Sequence, residues 1–197
     1  MKTFKVPIEV SARHIHLSQT DLEKLFGYGF TLTKKNDLSQ SGQFAANETI
    51  SIAGEKGEIK NVRIIGPVRD DTQLEISITD SYALGMETPS VRVSGDITNS
   101  GKGLKIAGPN GQLDLSNGII IAQRHLHIEP EKAKEFGIKD GDFLDIKIDG
   151  IRSLIFKNVI VRSRANADKF SFQIDTDEAN AAGVKTGSEG ETMGVYE

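Results

Sequence analysis

The sequence contains no cysteine, and this absence excludes disulfide bonds, thiolate metal ligands and a cysteine nucleophile. Any metal ion must therefore be held by histidine, aspartate or glutamate. The formal net charge of -4 leaves no basic surplus, which argues against a nucleic-acid-binding protein and against attachment to anionic lipid. We expect small molecules as partners instead.

Long apolar segments are also absent. The longest apolar run covers residues 119–122 and is far too short to span a bilayer. Residues 1–7 contain no apolar core of a secretion signal, so we predict a cytoplasmic protein without a membrane partner. A chain of 197 residues is long enough to form one domain or two small ones with a sizeable core.

Histidine is scarce, and its distribution is informative. All four histidines lie in two copies of one motif, Ser-Ala-Arg-His-Ile-His-Leu at residues 11–17 and Ala-Gln-Arg-His-Leu-His-Ile at residues 122–128. Successive side chains of a strand point to opposite faces, so both histidines of each copy share one face. A single His-x-His is usually a surface strand that carries histidine by chance. Two copies in matched context favour a zinc-like metal site.

The sequence around the two motifs repeats as well. In both halves a short helix is predicted after the His pair, ending at Phe-Gly, over residues 18–27 and 129–137. Each half continues with strands, a hairpin signal and a Thr-Asp turn, at residues 79–80 and 176–177. This pattern predicts a mainly β fold of two small β-barrels, related by an internal repeat and capped by short α-helices.

A carboxylate is predicted to join the first His pair. Glu75 lies in a strand predicted over residues 74–78, on the face opposite to Leu74. It can simply be solvated there. Together with His14 and His16, however, it makes a set of two imidazoles and one carboxylate with an open position, which is typical of catalytic zinc.

The second His pair has a weaker third partner. In the repeat, Gln173 falls within a residue of the position of Glu75. A set of His125, His127 and a neutral amide binds zinc-like ions less well than one with a carboxylate or a third imidazole.

Arg69, at the end of an apolar strand, is a candidate phosphate clamp through its planar fork of donors. A surface salt bridge is an equally good interpretation of Arg69 from spacing alone.

The residues also resemble a known family. From Val6 to Gly183 the chain is similar to the phosphate propanoyltransferases, also called PduL-type phosphate acyltransferases. The matching segments are the two His motifs, residues 37–46 with Asp-Leu-Ser-Gln and Gly-Gln-Phe-Ala-Ala, residues 61–69 ending in Gly-Pro-Val-Arg, and residues 174–182, Ile-Asp-Thr-Asp-Glu-Ala-Asn-Ala-Ala. Together these motifs are highly specific.

The resemblance implies two β-barrels with capping helices, often in a homodimer, that exchange acyl groups over a two-metal site. It also implies that the barrels are discontinuous in sequence. We accordingly predict a barrel over residues 13–93 that carries the first His pair and Glu75, and a turn-rich connector over residues 94–121. A second barrel is predicted over residues 122–197, carrying the second His pair and completed by the N-terminal strand at residues 3–12.

Roles for individual residues follow from the matching motifs. The implied residues are His14, His16 and Glu75 for a first zinc ion, His125 and His127 for a second, Arg69 for phosphate, and Ser11, Arg63 and Asn180 for coenzyme A. Gln173 stands where the family has a third histidine, and Ile78 where it has an arginine. We therefore expect one or two zinc ions per chain, the second more weakly held, with Asp175 and Glu178 as candidates to compensate.

The resemblance and the candidate site predict one activity above others. We expect reversible transfer of a short acyl group, acetyl or propanoyl, between coenzyme A and inorganic phosphate at a zinc site. Two alternatives remain at this point: a metal-dependent hydrolase of acyl-CoA thioesters, and a catalytically weak paralogue that only binds coenzyme A and metal. The chain lacks the N-terminal extension by which some relatives enter bacterial microcompartments, so a free enzyme is expected.

Overall fold

The computed structural model describes residues 3–164 and 169–196. Over these residues the chain forms fifteen strands and four short helices. The strands are β1 (Lys5–Ser11), β2 (His14–His16), β3 (Lys34–Asp37), β4 (Phe44–Ala53), β5 (Glu58–Gly66), β6 (Gln73–Glu75), β7 (Val91–Arg92), β8 (Leu104–Ala107), β9 (Gln112–Leu115), β10 (Ile119–Ala122), β11 (His125–Ile128), β12 (Phe143–Ile148), β13 (Leu154–Ser163), β14 (Ser171–Asp175) and β15 (Glu189–Tyr196). The helices are α1 (Gln19–Phe26), α2 (Ile78–Leu84), α3 (Pro130–Phe136) and α4 (Thr176–Ala182).

One compact unit contains residues 1–11, 39–41 and 123–197. Its strands form a closed barrel in the order β1-β14-β11-β13-β12-β15, and β15 pairs back onto β1. Apolar and exposed residues alternate along β1, which suits a strand with one face toward the core: Val6 and Ile8 are buried, while Lys5 and Pro7 are exposed. Phe172 lies fully buried in the apolar cluster of this unit, so the inward face of each strand supplies the core.

The other compact unit contains residues 12–38 and 42–122. Its sheet runs in the order β7-β10-β6-β2-β5-β4-β8-β9, with β3 paired to β4. The core of this unit includes Ile15, Ile64 and Leu74, all fully buried. The strands β8 and β9 lie within the predicted connector, and β10 begins in it and ends one residue beyond it. The division at residues 13–93, 94–121 and 122–197 stays a prediction.

The internal repeat is visible in strand pairing. β2 lies between parallel β5 and antiparallel β6, and β11 lies between parallel β13 and antiparallel β14. The next neighbours correspond too, because β10 pairs parallel with β6 and β1 pairs parallel with β14. The predicted mainly β fold with short helices is thus confirmed, as one closed barrel and one open sheet, each with a His pair on the same strand of the repeat.

The helices that follow the His pairs begin and end where the sequence predicts. Ser18 caps α1 by accepting a hydrogen bond from the Asp21 backbone N–H, and α1 stops at Gly27. Proline begins α3, and Gly137 ends it in the left-handed region at a φ of 74°. These are the usual start and stop residues of short helices.

The two predicted Thr-Asp turns are wrong, because both segments are helical. Ser77 and Asp80 form a capping box at the start of α2, and Asp175 and Glu178 form the corresponding box at the start of α4. Two backbone N–H groups at each helix start, those of the N-cap residue and of the third helical residue, are thereby satisfied, which starts a helix where a turn was expected. For the same reason the strand predicted over residues 74–78 ends at Glu75.

Across residues 3–164 and 169–196, no helix is both long and apolar enough to cross a membrane.

Candidate metal centre

The first His pair lies on one face of β2. Ile15, between the two histidines, packs into the core, so His14 and His16 point to the other face. His14 pairs in register with Glu75 on β6, and directly opposed residues of neighbouring strands share a face. His14, His16 and Glu75 are all buried, and one ligand atom from each lies within 4.8 Å of the others.

The tautomer of His14 suits a metal ligand. Its Nδ1 lies 2.9 Å from the carbonyl oxygen of Ala12, and because a carbonyl only accepts, Nδ1 carries the proton. Nε2 therefore faces the site and lies 3.5 Å from Oε2 of Glu75. Two ligands of a tetrahedral zinc ion are about 3.3 Å apart, and a ligating histidine usually donates its other N–H to a carbonyl in this way. The arrangement fits zinc.

His16 is kept neutral by its surroundings. Burial lowers the pKa of His16 to about 2, and proximity to His14 and to the charge of Arg69 acts in the same direction. Arg69 is held beside the end of β2 by its backbone N–H, which donates to the Leu17 carbonyl at 2.9 Å. A neutral imidazole is the form that binds a metal. The structure thus places Arg69, the candidate phosphate clamp, near His16.

A further residue, Gln73, orients the carboxylate of Glu75, and the sequence analysis missed it. Gln73 is buried, and its Nε2 donates to Oε1 of Glu75 at 2.7 Å. The same amide is fixed by the Ser94 hydroxyl at 3.1 Å from Nε2, and by the Gly95 N–H, which donates to Oε1 at 2.8 Å. Strand alternation is a signal that could have found it, because residues 73 and 75 share a face.

Replacing Gln73 with alanine should weaken metal binding at the first His pair about tenfold to a hundredfold, the usual effect of removing a group that holds a ligand. Competition between the purified protein and a chelator for zinc measures the change. Gln19→Ala is a matched control, because Gln19 is an exposed glutamine of the same unit whose side chain donates to Glu23 within α1. Equal affinities of the two variants would contradict the role of Gln73.

The second His pair repeats this geometry on β11. His125 pairs in register with Gln173 on β14, as His14 does with Glu75. Nδ1 of His125 lies 2.8 Å from the Gln123 carbonyl oxygen, which again turns Nε2 toward the site. That Nε2 lies 2.9 Å from Nε2 of His127. Both imidazoles are buried and can hold one ion together.

The arginine before each His pair binds the helix that follows β6 or β14. Arg13 contacts the buried carboxylate of Asp80 through Nε at 2.9 Å and Nη2 at 2.8 Å. Arg124 contacts Glu178 at 3.1 Å. Asp80 and Glu178 are the equivalent capping-box acids of α2 and α4, so the same ion pair ties each His strand to the helix beside it.

The candidate residues for coenzyme A lie on different elements. Arg63 pairs in register with His14 and donates from Nη1 to the carbonyl oxygens of Ala46 and Asn47, at 2.7 and 3.1 Å. In the barrel unit, Ser11 pairs in register with Asp175, the N-cap of α4. Asn180 lies exposed on α4. The roles of Ser11, Arg63 and Asn180 stay predictions.

Comparison with known proteins gives a family. A model of the phosphate propanoyltransferases matches residues 7–185. The chain belongs to this family. Relatives named phosphate propanoyltransferase come from Thermotoga maritima (50% identical, over 91% of this chain and 85% of the relative), Priestia megaterium (48%, over 98% and 87%) and Clostridioides difficile (43%, over 93% and 86%). The resemblance inferred from the motifs is confirmed, as is the class of enzyme, a phosphate acyltransferase.

Proposed function

We propose that the protein transfers a short acyl group between coenzyme A and inorganic phosphate, with acetyl and propanoyl as the acyl groups. The family is named for propanoyl transfer to phosphate. The observation that carries the proposal to this chain is the buried set of His14, His16 and Glu75, with Arg69 near His16. These residues combine a metal-binding set with a phosphate-binding group.

Each of these residues has a distinct task. His14, His16 and Glu75 would hold a zinc ion, and Gln73 fixes the orientation of Glu75. When bound there, the ion would supply Lewis-acid chemistry and positive charge beside the thioester. Arg69 binds phosphate through its planar fork and aims it at the carbonyl carbon. Because the phosphate oxygen attacks directly, the products are acyl phosphate and coenzyme A, and no acylated side chain is needed.

Positioning and charge stabilisation then account for the rate. Holding phosphate beside the thioester replaces an encounter in solution by a reaction within the site. Arg69 also stabilises charge that develops in the transition state. The buried setting of the candidate ligands strengthens such interactions, because the local dielectric is low.

A coupled assay with acetyl-CoA and propanoyl-CoA tests the proposal. We expect coenzyme A release that requires inorganic phosphate and yields one acyl phosphate per coenzyme A. Release that is independent of phosphate would identify water as the nucleophile, and would support the hydrolase alternative. Binding of coenzyme A without turnover of either substrate would support the alternative of a catalytically weak paralogue.

The predicted homodimer and the predicted cytoplasmic location are separate proposals. Size-exclusion chromatography of the purified protein tests the homodimer.

A further inference from the structure

Glu9 lies on the same face as the second His pair. In β1 the apolar Val6 and Ile8 enter the core, so Glu9 points to the opposite face. It pairs in register with Gln173 on β14, and Gln173 pairs in register with His125 on β11. Three neighbouring strands therefore present Glu9, Gln173 and the His pair side by side.

Neutral donors surround the Glu9 carboxylate. The hydroxyl of Ser39 lies 2.6 Å from both carboxylate oxygens, and the hydroxyl of Ser171 lies 3.1 Å from Oε2. The third donor is Nε2 of Gln173, also 3.1 Å from Oε2. Its carboxylate is thus held in place, half-buried, by two hydroxyl groups and one carboxamide.

This contact fixes the Gln173 side chain. An ionised carboxylate only accepts hydrogen bonds, so the carboxamide must turn its NH₂ group toward Glu9. Oε1 of Gln173 then remains as the acceptor end of the carboxamide, on the face that also carries His125. An amide oxygen is a poorer metal ligand than imidazole, and a fixed orientation is what such a ligand most needs.

The two halves of the internal repeat carry their acidic residue on different strands. The position equivalent to Gln173 is Glu75, and the residue that pairs with Glu75 from β10 is Ile120. The first His pair thus has its acid on the antiparallel neighbour and an apolar residue one strand farther. The second His pair has a neutral amide on the antiparallel neighbour and its acid, Glu9, one strand farther.

We propose that Glu9 is the positioning residue of a second metal site, in which His125, His127 and the Oε1 of Gln173 are the ligands. Glu9 acts through the carboxamide and supplies the negative charge that Glu75 supplies at the first site. This inference deepens the proposed function and rests on its metal chemistry, but binding of the metal can be measured without turnover. Asp175 and Glu178, the other candidate acids, are engaged in the capping box of α4.

The test is a titration of the full chain with Co²⁺, followed by its visible absorption spectrum. His14→Ala and His16→Ala together remove the first site and serve as the background, which should bind one Co²⁺. On this background Glu9→Gln should weaken Co²⁺ binding about tenfold to a hundredfold. Glu9→Asp keeps the charge but shortens the reach to Gln173, so it should weaken binding as well. Glu189→Gln is the matched control, an exposed barrel glutamate that should leave binding unchanged.

A second substitution separates positioning from simple charge. Gln173→His supplies an imidazole that needs no orientation by Glu9, so Glu9→Gln should then have a much smaller effect on affinity. An equal effect in both contexts would overturn the proposal, as would Glu9 variants that bind Co²⁺ like the control. A background protein that binds no Co²⁺ would also overturn it. Thermal unfolding in a chelator checks that the variants fold, and the phosphate-dependence assay on the unmodified protein tests the proposed function separately.

Discussion

Replacing Glu75 with glutamine should lower phosphate-dependent coenzyme A release by about a thousandfold, or about 4 kcal/mol of transition-state stabilisation. The substitution keeps the size of the side chain but removes its charge. The buried imidazoles of His14 and His16 are then without the only acid that the described chain places within ligand distance of them. The metal content of the purified variant should fall with its rate, since the proposed zinc site and the proposed catalysis share the same three residues.

Two measurements decide this prediction. The rate is taken from the coupled assay with propanoyl-CoA and saturating phosphate, and the zinc content from elemental analysis of the same preparation. Glu55→Gln is the matched control, because Glu55 is exposed in the turn between β4 and β5 of the same unit. A Glu75→Gln protein that keeps both its zinc and its rate would show that the carboxylate is not a ligand. One that keeps its zinc but is inactive would assign Glu75 a role in the chemistry itself.

Much of the first site could be predicted from sequence because strand periodicity is local. The alternation within residues 14–16 places two imidazoles on one face, and the alternation around Glu75 places its carboxylate on the face opposite to Leu74. The caps at Ser18 and Gly27 are equally local signals and define α1. The order of the repeat then relates Glu75 to Gln173, and the structure shows the two at equivalent registers opposite His14 and His125.

The role of Glu9 could not be predicted in this way. Its contact with Gln173 joins residues 164 positions apart in the chain, and it exists only because β1 lies beside β14 rather than beside β2. The first strand therefore serves the His pair that lies farther along the chain. Sequence order associates Glu9 with His14, and no local pattern shows which neighbour β1 has. The charge balance of the second site thus depends on sheet topology.

The helices α2 and α4 were missed for a different reason. Their capping boxes, with Ser77 and Asp80 in one copy and Asp175 and Glu178 in the other, were readable as helix starts. The seven-residue lengths of α2 and α4 made a turn an equally simple interpretation. A tertiary contact favours the helix over the turn at α2, because Arg13 forms an ion pair with its capping acid, Asp80.

Replacing Arg69 with alanine should raise the phosphate concentration needed for half-maximal rate by about tenfold to a thousandfold. That range corresponds to about 1.5 to 4 kcal/mol for removing a charge-assisted hydrogen bond from a sheltered site. The affinity for coenzyme A, measured by calorimetry, should barely change. The phosphate concentration that Arg69→Lys needs for half-maximal rate should lie between those of the unmodified protein and of Arg69→Ala. Lysine keeps the charge but lacks the planar fork that matches two phosphate oxygens.

Measuring both phosphate and coenzyme A separates a phosphate-binding role of Arg69 from a structural role. Arg69 lies near His16 and is anchored at its backbone by Leu17, so the alanine variant keeps the main-chain hydrogen bond that positions this segment. A weakening confined to phosphate then identifies the guanidinium as the phosphate clamp. Equal weakening for phosphate and coenzyme A, together with a lower unfolding temperature, would instead show that Arg69 supports the fold of the site. In that case the phosphate-binding group must be sought elsewhere.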